Sequence, residues 1–165
     1  MVRWLKKIIL AVLVLLVAGF FLRGCFIGPE GKIREQLSEL EELVSYEAGE
    51  SDFATLGKVK RLGGLFTEDV DIQLKGFAGT GSVQGRKKVQ QAAMAARSQA
   101  KSLQASLHDI TVQVAEDKMS AVVEATGRAK VGGESSSVVQ DFVFTFEKTE
   151  KEWLIAKVRT VEALR

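Results

Sequence analysis

The residues of this chain that could do chemistry are few and scattered. His108 is the sole histidine and Tyr46 the sole tyrosine, so a general acid–base scheme must draw on these two and on carboxylates. His108 is followed by Asp109, the pairing of a proton-relay dyad, yet adjacent residues of a strand point to opposite faces. The pair reads instead as an exposed histidine beside a strand irregularity, and no residue is assigned as catalytic. Cys25 is the only cysteine, which excludes an intrachain disulfide and a multi-cysteine zinc site. Glu116-Asp117 has no histidine or further acid nearby and reads as a turn, so neither a metal ligand nor a cofactor is expected. Arg86-Lys87-Lys88 carries the charge to meet a phosphate or lipid head group; at a helix start, where cations oppose the dipole, a solvated patch is the simpler reading. Phe142, Phe144 and Phe146 alternate on one face of a strand, where they either line a pocket or fill a core.

The first element that positions anything is the N-terminus. Ile8 to Leu22 is a run of 15 uncharged, almost wholly apolar residues preceded by Arg3, Lys6 and Lys7. Fifteen residues of helix span only ~22 Å of a ~30 Å hydrocarbon core. With Arg23 snorkelling and Gly24 to Ile27 at the interface, the span reaches about 20 residues. Trp4 and the Lys6-Lys7 pair suit the opposite interface, and the positive-inside rule puts Met1 in the cytoplasm. The expectation is an uncleaved signal anchor over residues 1–27 that contacts the lipid bilayer through residues 8–27. The remainder then lies on the exported side, periplasmic or extracellular, of what reads as a bacterial cell. Leu22-Arg23-Gly24-Cys25 resembles a bacterial lipobox, making Cys25 a lipidation candidate, but a bulky cation at Arg23 departs from that motif. Three of the 23 Lys and Arg precede residue 23, leaving 20 against 21 Asp and Glu; the domain is near neutral and no nucleic-acid partner is expected.

Gly28-Pro29-Glu30-Gly31, with the only proline, predicts a hinge at 28–32 before one domain at 33–165. An amphipathic helix of about 15 residues from Lys32 presents Ile33, Leu37, Leu40, Leu43 and Val44. Ser51 caps a second helix whose apolar face carries Phe53, Leu56, Val59, Leu62, Leu65 and Phe66. Val70 to Lys75 alternates as a short strand, Gly76 to Gly85 reads as loop or bulged hairpin, and an Ala-rich third helix runs from Arg86 to Ala100. Four long strands follow at Ser102–Val114, Met119–Val131, Ser135–Glu147 and Glu152–Leu164. The first of them changes phase, with Leu103, Ala105 and Leu107 on one parity and Ile110, Val112 and Val114 on the other. This predicts a bulge near His108-Asp109 that bends the sheet.

Leu65-Phe66-Thr67-Glu68-Asp69-Val70, Val83-Gln84-Gly85-Arg86-Lys87-Lys88-Val89 and Trp153-Leu154-Ile155, in this order of elements, resemble the nuclear-transport-factor-like superfamily. That group includes the SnoaL-like polyketide cyclases and shares a cystatin-like cone. The resemblance covers Ile33 to Leu164. It implies an α+β fold of three helices packed on a strongly bent, mostly antiparallel sheet, enclosing a pocket in which enzymes of the group place acids, His or Tyr. An isomerase-like site would need a Tyr and a protonated Asp as oxyanion donors plus an Asp base facing one cavity. Tyr46 and Asp141 are the partial set available here, and Asp141 has parity opposite to Phe142, Phe144 and Phe146.

Two functional readings follow. The leading one is a membrane-anchored, non-enzymatic domain that binds a protein partner or a second copy through the outward sheet positions Val122, Glu124, Thr126, Arg128, Lys130, Val143 and Thr145. Assembly factors of type IV secretion offer the analogy. The alternative is a small-molecule or lipid ligand in the cone, with Tyr46, Phe142, Phe144 and Phe146 as pocket candidates and isomerase- or cyclase-like turnover as a subset. A cavity above ~300 Å³ with convergent polar groups favours the second reading, and a cone filled by large side chains favours the first.

Overall fold

The structure is a computed structural model that describes residues 28–75, 81–132 and 137–161. The expected anchor over 1–27 and Cys25 lie outside these residues. Among the described residues no helix is long and apolar enough to cross a membrane.

The first helix, α1, is Pro29–Val44, capped by Gly28 with Pro29 in its first turn. Proline's fixed φ and missing N–H are harmless there, so the cluster read as a breaker opens the helix. Most of the expected hinge at 28–32 is thus α1. Ile33, Leu37, Leu40 and Leu43 are its buried residues, on the face the spacing predicts.

Helix α2, Asp52–Gly64, starts where Ser51 Oγ accepts the Ala54 N–H at 3.2 Å. Its apolar face is buried only from Val59 onward; Phe53 is 88% exposed and Leu56 60%. These two are not core as expected, because periodicity identifies a face but supplies nothing to cover it, and none of the described residues does so.

Strand β1 is Phe66–Leu74, four residues longer at its start than the alternation suggests, because Phe66 already pairs with Ile155. It turns back into β2, Gly81–Gln84, which precedes α3, Arg86–Gln99. Gly85 joins them at φ 90°, a conformation that favours glycine. The long strands are β3 (Leu103–Val114), β4 (Ser120–Val131), β5 (Val138–Lys148) and β6 (Trp153–Val161).

The sheet order is β2-β1-β6-β5-β4-β3, antiparallel throughout except for the parallel β1–β6 pair. The expected bulge is present. The β3–β4 register shifts between His108 and Thr111, and Asp109 takes φ 52°, which a short polar side chain tolerates. Trp153, Phe146, Ile155, Val123, Ile33 and Leu37 form the solid centre of the core.

Strand β3 ends the sheet, yet its free edge is not bare. Tyr46 N–H donates to Leu103 O at 2.8 Å, and Leu103 N–H returns a bond to Tyr46 O at 2.9 Å. Ser45 Oγ accepts from Ala105 N–H at 3.0 Å, the Glu41 carboxylate accepts from Leu107 N–H, and Arg34 donates to Ile110 O at 3.1 Å. Helix α1 and its exit therefore occupy the hydrogen-bonding groups another strand would otherwise use.

Candidate functional site

The inner sheet face is hollow at one end. Facing positions there carry small side chains: Ala105 pairs with Ala129, and Leu107 with Gly127, while Gly127 is in turn opposite Gln140 on β5. A Cβ on Gly127 would sit 2.5 Å from Phe142 Cε2, so glycine lets that ring lie directly on the β4 backbone. Phe142 and Phe144 are tilted against each other with centroids 6.0 Å apart. The result is a cavity of about 290 Å³ between α1, β1 and the inner faces of β3 to β6, with both rings on its wall. Phe146, proposed with them as a pocket residue, is fully buried in the core instead, in the cluster that holds Trp153, Ile155, Ile33 and Leu37.

Several polar groups on the cavity wall are engaged by the protein itself. Gln140 Nε2 donates to Val161 O at 2.8 Å; Thr160 Oγ1 accepts from Lys75 N–H at 2.7 Å and donates to Lys75 O at 3.1 Å. The Glu41 carboxylate is held by Leu107 N–H. What remains toward the interior is hydrocarbon, suited to excluding water and holding an apolar guest.

A second chamber of about 250 Å³ adjoins the first beneath α3. Its roof is Val89, Ala92, Ala93 and Ala96, whose small side chains keep the helix from filling the space. Tyr46 is part of its wall but is not a free hydroxyl: its Oη donates to Ala96 O at 3.1 Å. The Arg97 guanidinium lies 4.8 Å from the Tyr46 ring centroid, donates to Leu43 O at the end of α1 and meets Glu50 Oε2 at 3.3 Å. Glu50 also pairs with Lys58. Burial pushes the Tyr46 phenol above its ordinary 10.0, with the Arg97 charge pulling the other way. Tyr46 is thus a strut between α1, α3 and β3 as well as a wall residue. Arg97 and Glu50 were invisible to sequence reasoning, because their partners lie 47 and 54 residues away.

The profile of the SnoaL-like domain family matches residues 55–159. The chain belongs to this SnoaL-like family. No curated protein matches it. Three solved structures from Novosphingobium aromaticivorans share the fold. One is named provisionally an aromatic ring hydroxylase: TM-score 0.65, 17% identity, 81% of this chain and 88% of that chain covered. Another is a nuclear-transport-factor-like protein with a cystatin-like fold: TM-score 0.63, 18% identity, 88% and 86% covered. A third is named provisionally a scytalone dehydratase: TM-score 0.57, 13% identity, 81% of each chain covered.

The remaining candidates lie elsewhere on the SnoaL-like domain. Asp141 points outward, as its parity requires, and accepts from Thr126 Oγ1 at 2.7 Å. His108 is exposed beside Ser106 Oγ, 2.9 Å away, while Asp109 is spent on the bulge, so the two form no dyad. Arg86 turns inward to Phe66 O, at 3.0 Å from Nε and 2.6 Å from Nη2, leaving only Lys87 and Lys88 exposed. Asp117 Oδ1 accepts from Met119 N–H at 2.9 Å, the turn role expected of Glu116-Asp117. Among the described residues no group of three or more potential ligands could hold a metal ion. Val122, Glu124, Arg128 and Lys130 lie exposed on the outer sheet face, with Val143 half-buried between Glu124 and Arg159.

Proposed function

We propose that this SnoaL-like domain binds a small apolar molecule inside the cone. The observation that carries the reading is the cavity of about 290 Å³, close to the expected size but without convergent polar groups, walled by Phe142, Phe144 and aliphatic side chains. Binding without turnover fits this wall better than catalysis. Among the described residues its ionisable members are Glu41, tied to Leu107 N–H, and Arg128, whose strand position faces outward. The scytalone dehydratase and hydroxylase designations of fold relatives are compatible with an aromatic or aliphatic guest, without naming one. The test is displacement of an environment-sensitive apolar dye. Wild-type protein takes up the dye, and Ala105→Phe, which fills the hollow end, loses it while unfolding cooperatively; dye uptake unaffected by Ala105→Phe defeats the reading.

The outer sheet face supports a second reading as a surface for a protein partner or another copy, because Val122, Val139 and Val161 stand exposed among Glu124, Arg128 and Arg159. Its test is Glu124→Arg together with Arg128→Glu, read by crosslinking in intact membranes. The proposed attachment to the bilayer through residues 8–27 is tested by carbonate extraction and intact mass. A soluble product, or a lipid increment on Cys25, would replace the uncleaved anchor.

A further inference from the structure

The shape of the hollow narrows the ligand class, an inference that rests on the cone being a binding site. The two chambers are not stacked at random: Leu40 and Val44 from α1, Phe66, Ile72 and Leu74 from β1, and Leu103 from β3 belong to the walls of both. These residues border both chambers, so the two lie side by side, one against the inner face of β3 to β6 and the other beneath α3. A rigid ring system fits within one chamber, whereas an unbranched alkyl chain can extend from one into the other by rotating about single bonds.

The wall chemistry agrees. Gln140 Nε2 donates to Val161 O, the Thr160 hydroxyl is bonded to the Lys75 backbone, one Glu41 oxygen accepts from Leu107 N–H, and Arg97 in the second chamber's wall is committed to Leu43 O and Glu50. These polar groups serve the protein's own bonds and the rest of both walls is mostly hydrocarbon, so recognition falls mainly to the hydrocarbon. We infer that the cone holds an unbranched alkyl chain threaded through both chambers, and that Ala93 on α3 limits its length. Ala93 is the half-buried member of the roof, one turn beyond the buried Val89, and a longer side chain there would project into the second chamber.

The experiment titrates the full-length chain, held in cholate so that no alkyl detergent competes, with straight-chain alcohols from hexanol to tetradecanol. The matching fatty acids and a compact bicyclic probe, 1-naphthol, run in parallel. Each methylene buried should raise affinity ~4-fold until the hollow is filled, after which the gain stops. Ala93→Leu should bring that stop to a shorter chain while leaving hexanol unchanged, and the milder Ala93→Val should do the same to a smaller extent if the leucine variant unfolds. Alcohols and acids should share one slope, because the head stays outside. A stop that does not move in either variant overturns the route under α3. Tight 1-naphthol binding with no dependence on alcohol length overturns the alkyl assignment but leaves the cone as a binding site. Failure of every probe defeats both. Repeating the titration with fluorescent-chain lipid in phosphatidylcholine vesicles distinguishes a free chain from a bilayer-borne one, and uptake from either source supports the inference.

Discussion

The two ends of the cone are built from the same strands and differ in what those strands carry. At the filled end, Phe146 on β5 faces Ala121 on β4, β6 brings Trp153 and Ile155, and α1 lowers Ile33 and Leu37 onto them; Trp153 is 2% exposed and Phe146 0%. At the hollow end the same β5 and β4 present Phe142, Gln140, Gly127 and Ala129, β3 adds Ala105, and α3 offers alanines. Sheet curvature opens a space at both ends; side-chain size decides which is filled. The filled end is held by packing. At the hollow end the Tyr46–Arg97–Glu50 set ties helices and sheet together through polar contacts.

Removing a large side chain from the filled end should do the greatest harm. Trp153→Ala should cost about 3–5 kcal/mol in urea titration, from lost transfer energy plus the cavity left behind. A cost below ~1 kcal/mol would mean that the two ends are not mechanically different. Arg97→Ala tests the polar set: losing the charged bonds to Leu43 O and Glu50 should cost about 2–3 kcal/mol. Tyr46→Phe keeps the ring and loses the bond to Ala96 O, for about 1 kcal/mol. Because the folded state favours the protonated phenol, the Tyr46 contribution is intact below its ordinary 10.0 and declines as pH rises through the higher folded value. The Phe variant should lack that part of the alkaline loss. Ala129→Leu sharpens the contrast in the other direction, since filling the hollow should change stability by no more than ~1 kcal/mol while abolishing apolar-dye uptake. His108→Ala, remote from both ends, should stay within ~0.5 kcal/mol and leave dye uptake unchanged.

Much of this contrast was legible in the residues, but not its outcome. The bulge at Asp109 could be read because alternation changes phase along β3, a purely local signal. The outward direction of Asp141 followed from parity for the same reason. Phe142, Phe144 and Phe146 share a face as expected, but whether a ring fills space or borders it depends on residues of other strands and helices. The deciding clue was present as Gly127 and Ala129 opposite Gln140 and Val138, yet it has meaning only once the register is known. Phe53 and Leu56 show the complementary failure: an apolar helical face was read correctly as a face and wrongly as buried. Pro29 was read as part of a hinge, whereas it lies in the first turn of α1, where proline's fixed φ suits a helix start.

The place of β6 has a consequence in time. It lies between β1 and β5, joined in parallel to the first strand through Phe66↔Ile155 and antiparallel to the strand before it, so the last strand made is an interior member of the sheet. Until it is present, the β1–β2 hairpin and the β3–β5 meander have no sheet bonds to each other, and Trp153 and Ile155 are missing from the centre of the core. Contacts spanning so much of the chain close slowly and together. A ribosome feeding this sequence out from its N-terminus thus produces a domain whose two sheet halves stay unjoined until β6 has emerged.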